Sequence, residues 1–335
     1  MVTETRRFSG FDVDRFNDPA AQLHSLRQEI DERIEALLEE GGDSADTLAG
    51  AMRAGALGSG KRMRPLLLML VARDLGCASP GLIDVACAVE MVHAASLVLD
   101  DMPCMDNARL RRGKPAVHVQ FGEDVAILAA IGLLSRAFCV LSSAADIPPA
   151  VRSRLVCTLS QTIGTQGLVR GQFQDLRGGP RSAEEIATTN ELKTGVLLGV
   201  AVEMAAIVAQ ADEEVAQSLR AFALAAGHAF QIRDDFADSG DSAVTGKDTG
   251  KDVGKATLIN ALGSDEAQRH LALYLRDAER HLADALGSRQ SASQHTRRFV
   301  ASLFQQGRGG IRLVPEPVVA RACADNAAAC LDARG

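Results

Sequence analysis

The sequence predicts an all-α fold, formed by a single large helical domain. Of the 335 residues, 47% are apolar and only 4% aromatic, so the core must be built mainly from Ala, Leu and Val, which favours helices over a β-sandwich. Apolar residues recur every three or four positions along most of the chain, and the alternation typical of strands is weak. No linker separates blocks of different composition, so one domain is expected rather than two.

The first predicted helix covers 18–40, where apolar residues from Leu23 to Leu37 lie three or four apart and Gly41 follows as a stop signal. The gaps between later periodic segments contain Gly and Pro, which break helices. The same periodicity predicts further helices at 45–57, 64–75, 81–101, 122–143, 148–166, 183–208, 212–236, 256–262, 264–287 and 292–306.

Three parts of the chain are distinguished by this pattern. Residues 1–19 form an N-terminal arm, and 20–306 form the helical domain. Residues 307–335 form a C-terminal tail, in which Gly and Pro precede a short Ala-rich stretch, and its sequence indicates no role.

Charge and cysteine content narrow the class of protein. A formal net charge of −7 argues against a general nucleic-acid binder. Seven cysteines without a CxxC pair suggest reduced thiols and hence a cytoplasmic protein, and the N-terminus lacks the apolar stretch of a signal peptide. The longest apolar run, at 125–134, is about half of a membrane span, so no transmembrane segment is expected.

An acidic cluster, "DDMPCMD", follows the helix predicted at 81–101 and contains Asp100, Asp101 and Asp106. On a continuous helix Asp106 would point away from Asp100, because six residues correspond to about 240° of rotation. Pro103 disfavours helical geometry in the residue before it. The helix is therefore expected to end here, and the chain to swing Asp106 back toward Asp100.

A second acidic cluster, "RDDFAD", lies at the end of the helix predicted at 212–236. Asp234 and Asp238 are four residues apart and share one helix face, with Asp235 beside them. Carboxylates at this end of a helix oppose its dipole and repel one another. One such cluster is equally well explained as a solvated helix end, whereas two clusters indicate a cation held between two helices.

The residue types in both clusters favour magnesium. Oxygen ligands that leave room for water and phosphate are typical of Mg²⁺ sites. Zinc is disfavoured because no His or Cys pair has metal-ligand spacing, and Cys104 between the aspartates is a single thiol.

Phosphate bound to such a metal predicts fixed positive charge nearby, and four basic runs supply it. Any one of these runs is more often a solvated surface than a ligand site. Interleaved with two aspartate clusters, they predict a ligand with at least two phosphates, held by metal on one side and by cations on the other. The runs contain Lys61, Arg62 and Arg64; Arg109, Arg111, Arg112 and Lys114; Lys193; and Lys247, Lys251 and Lys255.

The order of these motifs resembles the trans-polyprenyl diphosphate synthases, and is most similar to bacterial geranylgeranyl diphosphate synthases of carotenoid pathways. The resemblance covers about 20–306 and is carried by "GSGKRMRP", "MVHAASLVLDDMPCMDNARLRRGKPAVH", "GLVRGQFQDL", "ELKTGVLL", "AFQIRDDFAD" and "GKDTGKDVGKATL". It implies an all-α fold of ten or more helices around a deep central cavity, usually as a homodimer. The implied substrates are isopentenyl diphosphate and an allylic diphosphate.

The resemblance also implies a metal site. About three Mg²⁺ ions, for which Mn²⁺ can substitute, would grip the allylic diphosphate. Gln172 and Asp175, in "GQFQDL", would support the metal shell. The implied metal ligands are Asp100, Asp101, Asp106 and Asp234, with Asp235 and Asp238 acting through water.

Substrate contacts are implied in the same way. Thr194 and Gln231 would steady the reacting carbons, and Arg111, Lys193, Lys247 and Lys255 would contact the allylic diphosphate. Considered alone, His93 would be interpreted as a packed core histidine, and the motif match favours a ligand instead. The implied contacts of isopentenyl diphosphate are Lys61, Arg64, His93 and Arg112.

Product length is indicated by Ala95 and Ser96, which precede Asp100 by five and four residues. In relatives that make the C15 farnesyl product, an aromatic residue commonly stands at one of these positions and blocks the cavity. Both are small here, so a C20 product is predicted, and Ala95→Tyr or Ala95→Phe is predicted to shorten it. The alternative is that both residues merely allow another helix to pack closely.

Three other functions remain as alternatives to a C20 synthase. A farnesyl diphosphate synthase would share every motif. A terpene cyclase usually replaces the second aspartate motif with one that mixes Asn, Ser or Thr with Glu. A non-catalytic synthase subunit should have lost carboxylates from one cluster, and both are intact here.

Overall fold

The computed structural model describes residues 19–39, 46–177, 182–238, 258–287 and 295–305, and these parts of the chain are largely helical. The predicted all-α class with ten or more helices is confirmed. The helices are α1 (Pro19–Glu39), α2 (Thr47–Ala56), α3 (Met63–Asp74), α4 (Leu82–Asp100), α5 (Val117–Phe121), α6 (Glu123–Ser143), α7 (Pro149–Ile163), α8 (Leu168–Arg177), α9 (Ala183–Asn190), α10 (Val196–Val208), α11 (Glu213–Asp238), α12 (Leu258–Leu262), α13 (Ser264–Leu286) and α14 (His295–Gln305).

Most predicted helices are found within a few residues of their expected bounds, but the structure contains two short helices, α5 and α8, that periodicity did not predict. Helix α8 lies in the Gly-containing segment before "RGGPRS". The helix is only ten residues long and contains Gly171, a weak helix former, although its apolar residues Val169, Phe173 and Leu176 form a stripe, which is exposed. Helix α8 carries Gln172 and Asp175, which the resemblance implies support the metal shell.

The helix predicted at 183–208 is wrong in one respect. A π-helical segment, Glu191–Gly195, lies between α9 and α10 and contains Lys193 and Thr194. Such a segment adds one residue to a turn without changing which residues are apolar, so a periodicity argument cannot detect it. Segments of this kind occur frequently at functional sites.

A two-stranded antiparallel ribbon, β1 (Leu110–Arg111) and β2 (Lys114–Pro115), follows the first acidic cluster and was not predicted either. Its two-residue turn, Arg112-Gly113, has positive φ at both positions, 54° and 78°. That combination is typical of a type I′ hairpin turn. The turn directs Arg111 and Arg112 toward different parts of the site described below.

Helix α4 is the central element and explains where the first acidic cluster is placed. It packs against α1, α2, α3, α6 and α10, and its residues from Leu82 to Val98 are mostly buried. Fully buried Ile30 and Ile34 of α1 and Leu133 of α6 belong to the same core cluster. Burial on nearly all sides fixes α4 rigidly, so its C-terminal end at Asp100 is held in a defined position.

By length and composition alone, α4 and α6 are long and apolar enough to cross a membrane. Helix α4 is a core helix, since two thirds of its most apolar stretch is buried inside the molecule. Helix α6 is less covered and leaves Ile127, Leu128 and Ile131 exposed.

Candidate active site

The first acidic cluster folds back on itself as the sequence predicted. Helix α4 ends at Asp100, and the backbone N–H of Asp106 donates to the carbonyl of Asp100 over 2.9 Å. The N–H groups of Asn107 and Ala108 donate to the carbonyls of Met102 and Asp101, at 2.9 and 3.1 Å. These bonds close a compact loop that brings Asp106 beside Asp100.

Crowding of like charges is evident at Asp100. Burial, together with the negative charges of Asp106 and Asp101, raises the pKa of Asp100 to about 6, although Lys193 and Arg111 oppose the shift. A carboxyl that is both buried and repelled in this way is stabilised by an added cation. The end of α4 is therefore an electrostatically favourable place for a metal ion.

Asp101 is only 3% exposed and is neutralised by Arg111 of β1. The Nε of Arg111 donates to both carboxylate oxygens, at 3.0 and 3.1 Å, and its Nη2 also bonds to Oδ1. Burial alone would lower the pKa of Arg111, and the hydrogen bond and charge of Asp101 more than reverse this. The hairpin thus ties a cation to the acidic loop.

The second acidic cluster lies in the last turns of α11. Asp234 accepts from Arg233 at 2.8 Å, and Asp235, which is buried, accepts from the Nε2 of Gln231 at 3.0 Å. Arg233 also donates to the carbonyl of Leu303 at 2.5 Å, which ties this end of α11 to α14. Asp238 is the last residue of α11, and its side chain lies outside the described part of the structure.

Helix α8 and the π-helical segment connect the two clusters. The Nζ of Lys193 donates to Asp175 at 2.7 Å. The Nε2 of Gln172 lies 3.9 Å from the Sδ of Met105, in the first acidic loop. Thr194 is partly exposed on the same π-helical segment, and a small cavity beside this segment is lined in part by Gln231.

The close packing of α8 against the π-helical segment depends on a glycine. A Cβ placed on Gly171 of α8 would lie 2.5 Å from the backbone nitrogen of Lys193 and 2.6 Å from the carbonyl carbon of Leu192. Neither backbone atom can move aside without shifting the π-helical segment. The absence of a side chain at 171 therefore sets how closely α8 and Lys193 approach.

A separate cationic pocket lies between the start of α3, α4 and the hairpin. It contains Arg64, His93 and Arg112, three of the four residues predicted to hold isopentenyl diphosphate; the fourth, Lys61, is exposed and directly precedes Arg62 in the chain. Burial, followed by the charges of Arg64 and Arg112, lowers the pKa of His93 well below its ordinary value, so it is neutral at pH 7. The Nε of Arg64 is buried and has no hydrogen-bond partner among the described residues, as expected of a donor that awaits an anion.

Electrostatic interactions link the cationic pocket to the acidic clusters. Arg64 interacts electrostatically with Asp234 as well as with Glu90, although burial is the main cause that lowers its pKa. Lys193 is the strongest cationic influence on Asp100. The acidic ends of α4 and α11 thus each interact with cations of the site, Asp100 with Lys193 and Arg111, and Asp234 with Arg64.

Three contributors to the pocket were missed as site residues by sequence reasoning. Arg62 was noted only as part of a basic run, and Asp31 and Glu90 were not noted at all. Arg62 bonds to both carboxylates, and Glu90 is 3% exposed. A lone Glu inside the apolar stretch of α4 could have indicated that a cationic partner exists, although not which residue it is, because a buried charge requires a partner.

Some predicted site residues cannot be placed, and two occupy different environments. Lys247 and Lys255 lie outside the described residues. Ala95 is fully buried in the core cluster, whereas Ser96 is partly exposed and its hydroxyl donates to the carbonyl of His93 at 2.8 Å. Ser96 lies four residues before Asp100 and therefore on the same face of α4.

The donor set fits magnesium. The acidic groups are oxygen ligands, and the buried Oε1 of Gln172 has no partner within the described part of the chain, which leaves an oxygen free to bind metal-bound water. Among the described residues, no three His, Cys, Asp or Glu side chains are grouped closely enough to hold a metal ion. Asp101 and Asp234 are paired with arginines instead, so metal binding would require them to exchange partners.

Known proteins are similar to this chain over most of its length. Residues 45–291 match the family model described as Polyprenyl synthetase. The geranylgeranyl diphosphate synthase of Pantoea ananas is 50% identical over 293 residues, covering 86% of this chain and 94% of that protein. The farnesyl diphosphate synthase of Geobacillus stearothermophilus is 42% identical over 233 residues, covering 68% of this chain and 78% of that protein.

The backbone is similar to solved structures as well. The crystal structure of a geranyltransferase from Helicobacter pylori, complexed with magnesium and isoprenyl diphosphate, matches with a TM-score of 0.75 at 27% identity, covering 87% of this chain and 99% of that one. The family model spans most of the helical domain, including both acidic clusters and all four basic runs. This chain therefore belongs to the polyprenyl synthetase family.

Proposed function

We propose that this protein is a short-chain trans-prenyltransferase that condenses isopentenyl diphosphate with allylic diphosphates to make geranylgeranyl diphosphate, releasing diphosphate. The observation that carries the proposal is the pairing of two acidic helix ends with a separate cationic pocket. Two anionic substrates need two binding places, and only one of these places is rich in metal-binding oxygens. A terpene cyclase, with a single diphosphate substrate, has no use for the second pocket.

The allylic diphosphate would be held on the acidic side of the site. Arg111 and Lys193 donate to its oxygens after leaving Asp101 and Asp175, with which they are paired in the structure. About three Mg²⁺ ions bound by the two aspartate clusters would neutralise the diphosphate and promote its departure with the electron pair of the C–O bond.

The second substrate is held by the cationic pocket. Lys61, Arg64 and Arg112 contact the diphosphate of isopentenyl diphosphate, and neutral His93 donates its single N–H. The double bond of this substrate attacks the allylic carbon and forms the new C–C bond. A proton is then lost to the released diphosphate, so no side chain has to act as a strong base. Thr194 and Gln231, on neighbouring elements, steady the reacting carbons.

A C20 product is supported by two observations. The geranylgeranyl synthase of Pantoea ananas shares a larger identity with this chain than the farnesyl synthase of Geobacillus stearothermophilus does. Ser96, on the face of α4 that carries Asp100, is too small to block a growing chain. A C15 product is the second candidate, because both enzyme types share all the charged residues of the site.

Product analysis tests the proposal directly. Purified protein would be incubated with Mg²⁺, labelled isopentenyl diphosphate and allylic primers of C5, C10 or C15, and the products would be separated by chain length. We expect C20 as the main product from each primer. Cyclic hydrocarbons, or no condensation with any primer, would overturn the assignment, and a product that stops at C15 would support the second candidate.

The protein is also proposed to act as a homodimer. Ile127, Leu128 and Ile131 are 42%, 54% and 56% exposed on one face of α6, and a second copy of the chain would bury this apolar face. Ile131→Glu should convert the dimer to a monomer in light scattering, whereas Leu273→Glu, at an exposed position on α13, should not. A wild-type monomer that binds lipid vesicles through α6 would contradict the dimer.

Cytoplasmic location and a role in carotenoid synthesis complete the proposal. The described cysteines are free thiols, as expected in a reducing compartment. The carotenoid role is supported by the similarity of the motifs to bacterial synthases of that pathway. Pigment formation by cells that contain all other enzymes of the pathway would test it.

A further inference from the structure

Arg62 is a charged residue with unusual burial and backbone geometry. It lies directly before α3, between Lys61 and Arg64, and is only 4% exposed. Its backbone is left-handed, with φ 49° and ψ 37°, a conformation that residues other than Gly rarely adopt. Such a conformation persists only where the surroundings hold it in place.

The guanidinium of Arg62 stabilises this backbone conformation through hydrogen bonds to three parts of the chain. Its Nε donates to Asp31 of α1 at 2.5 Å, and its Nη1 donates to Glu90 of α4 at 3.0 Å. Its Nη2 donates to the carbonyl of Gly58 at 3.1 Å, which closes the loop onto itself. Burial lowers the pKa of Arg62, but the two carboxylates more than compensate, so the group stays charged.

These bonds shape the pocket around Arg62. A Cβ on Gly60 would lie 2.7 Å from the Nη1 of Arg62 and 2.6 Å from the Nη1 of Arg112, so both guanidinium groups pack over the bare backbone of the loop. Glu90 is a counter-charge not only for Arg62 but also for Arg64 and Arg112. Three arginines that would otherwise repel one another are thus kept together.

We infer that Arg62 is a positioning residue for the isopentenyl diphosphate pocket: it touches no substrate, and its buried bonds to Asp31 and Glu90 fix the loop that carries Lys61 and the first turn of α3, which carries Arg64. This inference rests on the proposed function. A point charge cannot replace Arg62, because three directions of hydrogen bonding are used at once and a lysine cannot reproduce the planar fork.

Arg62→Lys tests the inference. We expect the KM for isopentenyl diphosphate to rise about tenfold or more, while the KM for the allylic substrate changes less than about threefold. Arg33→Lys is a matched control. Arg33 also joins α1 to α4, through bonds of 2.6 and 3.2 Å to Asp84, and lies outside the site. The control should lose similar thermal stability and leave both KM values unchanged.

Asp31→Asn provides a second test of the inference in case Arg62→Lys does not fold. Asp31 is 42% exposed, so its loss should leave the protein folded and produce a smaller rise in the same KM. The inference is overturned if both KM values rise together in Arg62→Lys, or if Arg33→Lys behaves like it.

A binding measurement separates this inference from the proposed function. Calorimetric titration with isopentenyl diphosphate in the absence of turnover compares the wild type with Arg62→Lys. If the wild type forms no product, the proposed function fails, but a tenfold loss of binding in the variant still supports the role of Arg62. Equal binding by both proteins overturns that role.

Discussion

The two sides of the active site are stabilised in different ways. On the cationic side, Arg62 joins α1 and α4 through bonds to Asp31 and Glu90, and Arg64 keeps a buried Nε without a partner among the described residues. The cations needed for an anion are therefore already in position. Binding there requires little rearrangement, so little of the binding energy is lost in ordering side chains.

On the acidic side, three carboxylates are already paired with a neighbouring cation. Arg111 bonds to Asp101, Lys193 bonds to Asp175, and Arg233 bonds to Asp234. A metal ion that replaced these pairs alone would leave the cations unpaired. A diphosphate that replaced them alone would leave the carboxylates unpaired. Together they can replace these pairs, since the metal takes the carboxylates and the phosphate takes the cations.

This difference has a consequence for the order of events. Metal and allylic diphosphate are expected to bind to the acidic side cooperatively, whereas isopentenyl diphosphate is expected to bind to the cationic side without metal. The acidic side would then reach its binding geometry only when metal and allylic diphosphate are both present, whereas the cationic side would be preformed.

Removal of the metal should distinguish the acidic side from the cationic side most strongly. We expect chelation of Mg²⁺ by EDTA to abolish turnover and binding of a non-reactive allylic diphosphate analogue. The affinity for isopentenyl diphosphate, measured by calorimetry, should change less than about threefold, because its pocket uses fixed cations. An equal loss of both affinities would show that the two sides do not differ in the way described.

Asp100→Asn should have the next largest effect. Loss of one metal-binding carboxylate is expected to lower kcat roughly 10²–10³-fold, a size typical of removing one group that stabilises a departing charge. The KM for isopentenyl diphosphate should stay within about threefold of the wild type. Asp146→Asn, at an exposed position after α6, is the matched control and should leave both constants unchanged.

The sequence predicted the fold of the first acidic loop better than the contacts that hold the cationic pocket in place. Acidic and basic residues can be recognised in a sequence by type and spacing. The return of Asp106 toward Asp100 was predicted from their six-residue spacing and from Pro103. The structure confirmed it through the bond between their backbones. Arg62 and Glu90 could not be recognised as partners, because 28 positions separate them and only the packing of α3 against α4 brings them together.

Local backbone geometry was the other feature that the sequence did not predict. The π-helical segment around Lys193 has the same apolar pattern as an ordinary helix, and the hairpin turn at Arg112 uses a residue that rarely adopts positive φ. Helix α8 was missed because it is only ten residues long and contains Gly171, a weak helix former. Each of these features depends on contacts with other parts of the chain, which periodicity does not contain.

Gly171→Ala perturbs the acidic side through geometry instead of charge. The added methyl group must push α8 away from the backbone of the π-helical segment, which displaces Lys193 from Asp175 and from Asp100. A displacement of about 1 Å at a catalytic group can cost 10²-fold, so we expect kcat to fall about 10–100-fold. The KM for isopentenyl diphosphate should not change.

Gly199→Ala provides the control for this variant. Gly199 lies in α10, which continues the π-helical segment, and a Cβ there would meet no atom within 4 Å. The substitution should stabilise the helix by up to about 1 kcal/mol and leave kcat unchanged. If Gly171→Ala and Gly199→Ala have the same kinetics, the close approach at Gly171 plays no part in placing Lys193.

The smallest effect on rate, but a qualitative effect on product, is expected at the two small residues before Asp100. Ser96 shares a face of α4 with Asp100 and is partly exposed, whereas Ala95 is packed in the core. Ser96→Phe should therefore shorten the main product from C20 to C15 with turnover changed only a few-fold. Ala95→Phe, predicted from the sequence to do the same, should also cost about 1–3 kcal/mol of stability, because its ring must enter a filled core. Product sizing beside thermal unfolding of both variants separates the two effects. A C20 product from both would mean that the growing chain does not pass this face of α4, and that their small size serves helix packing alone.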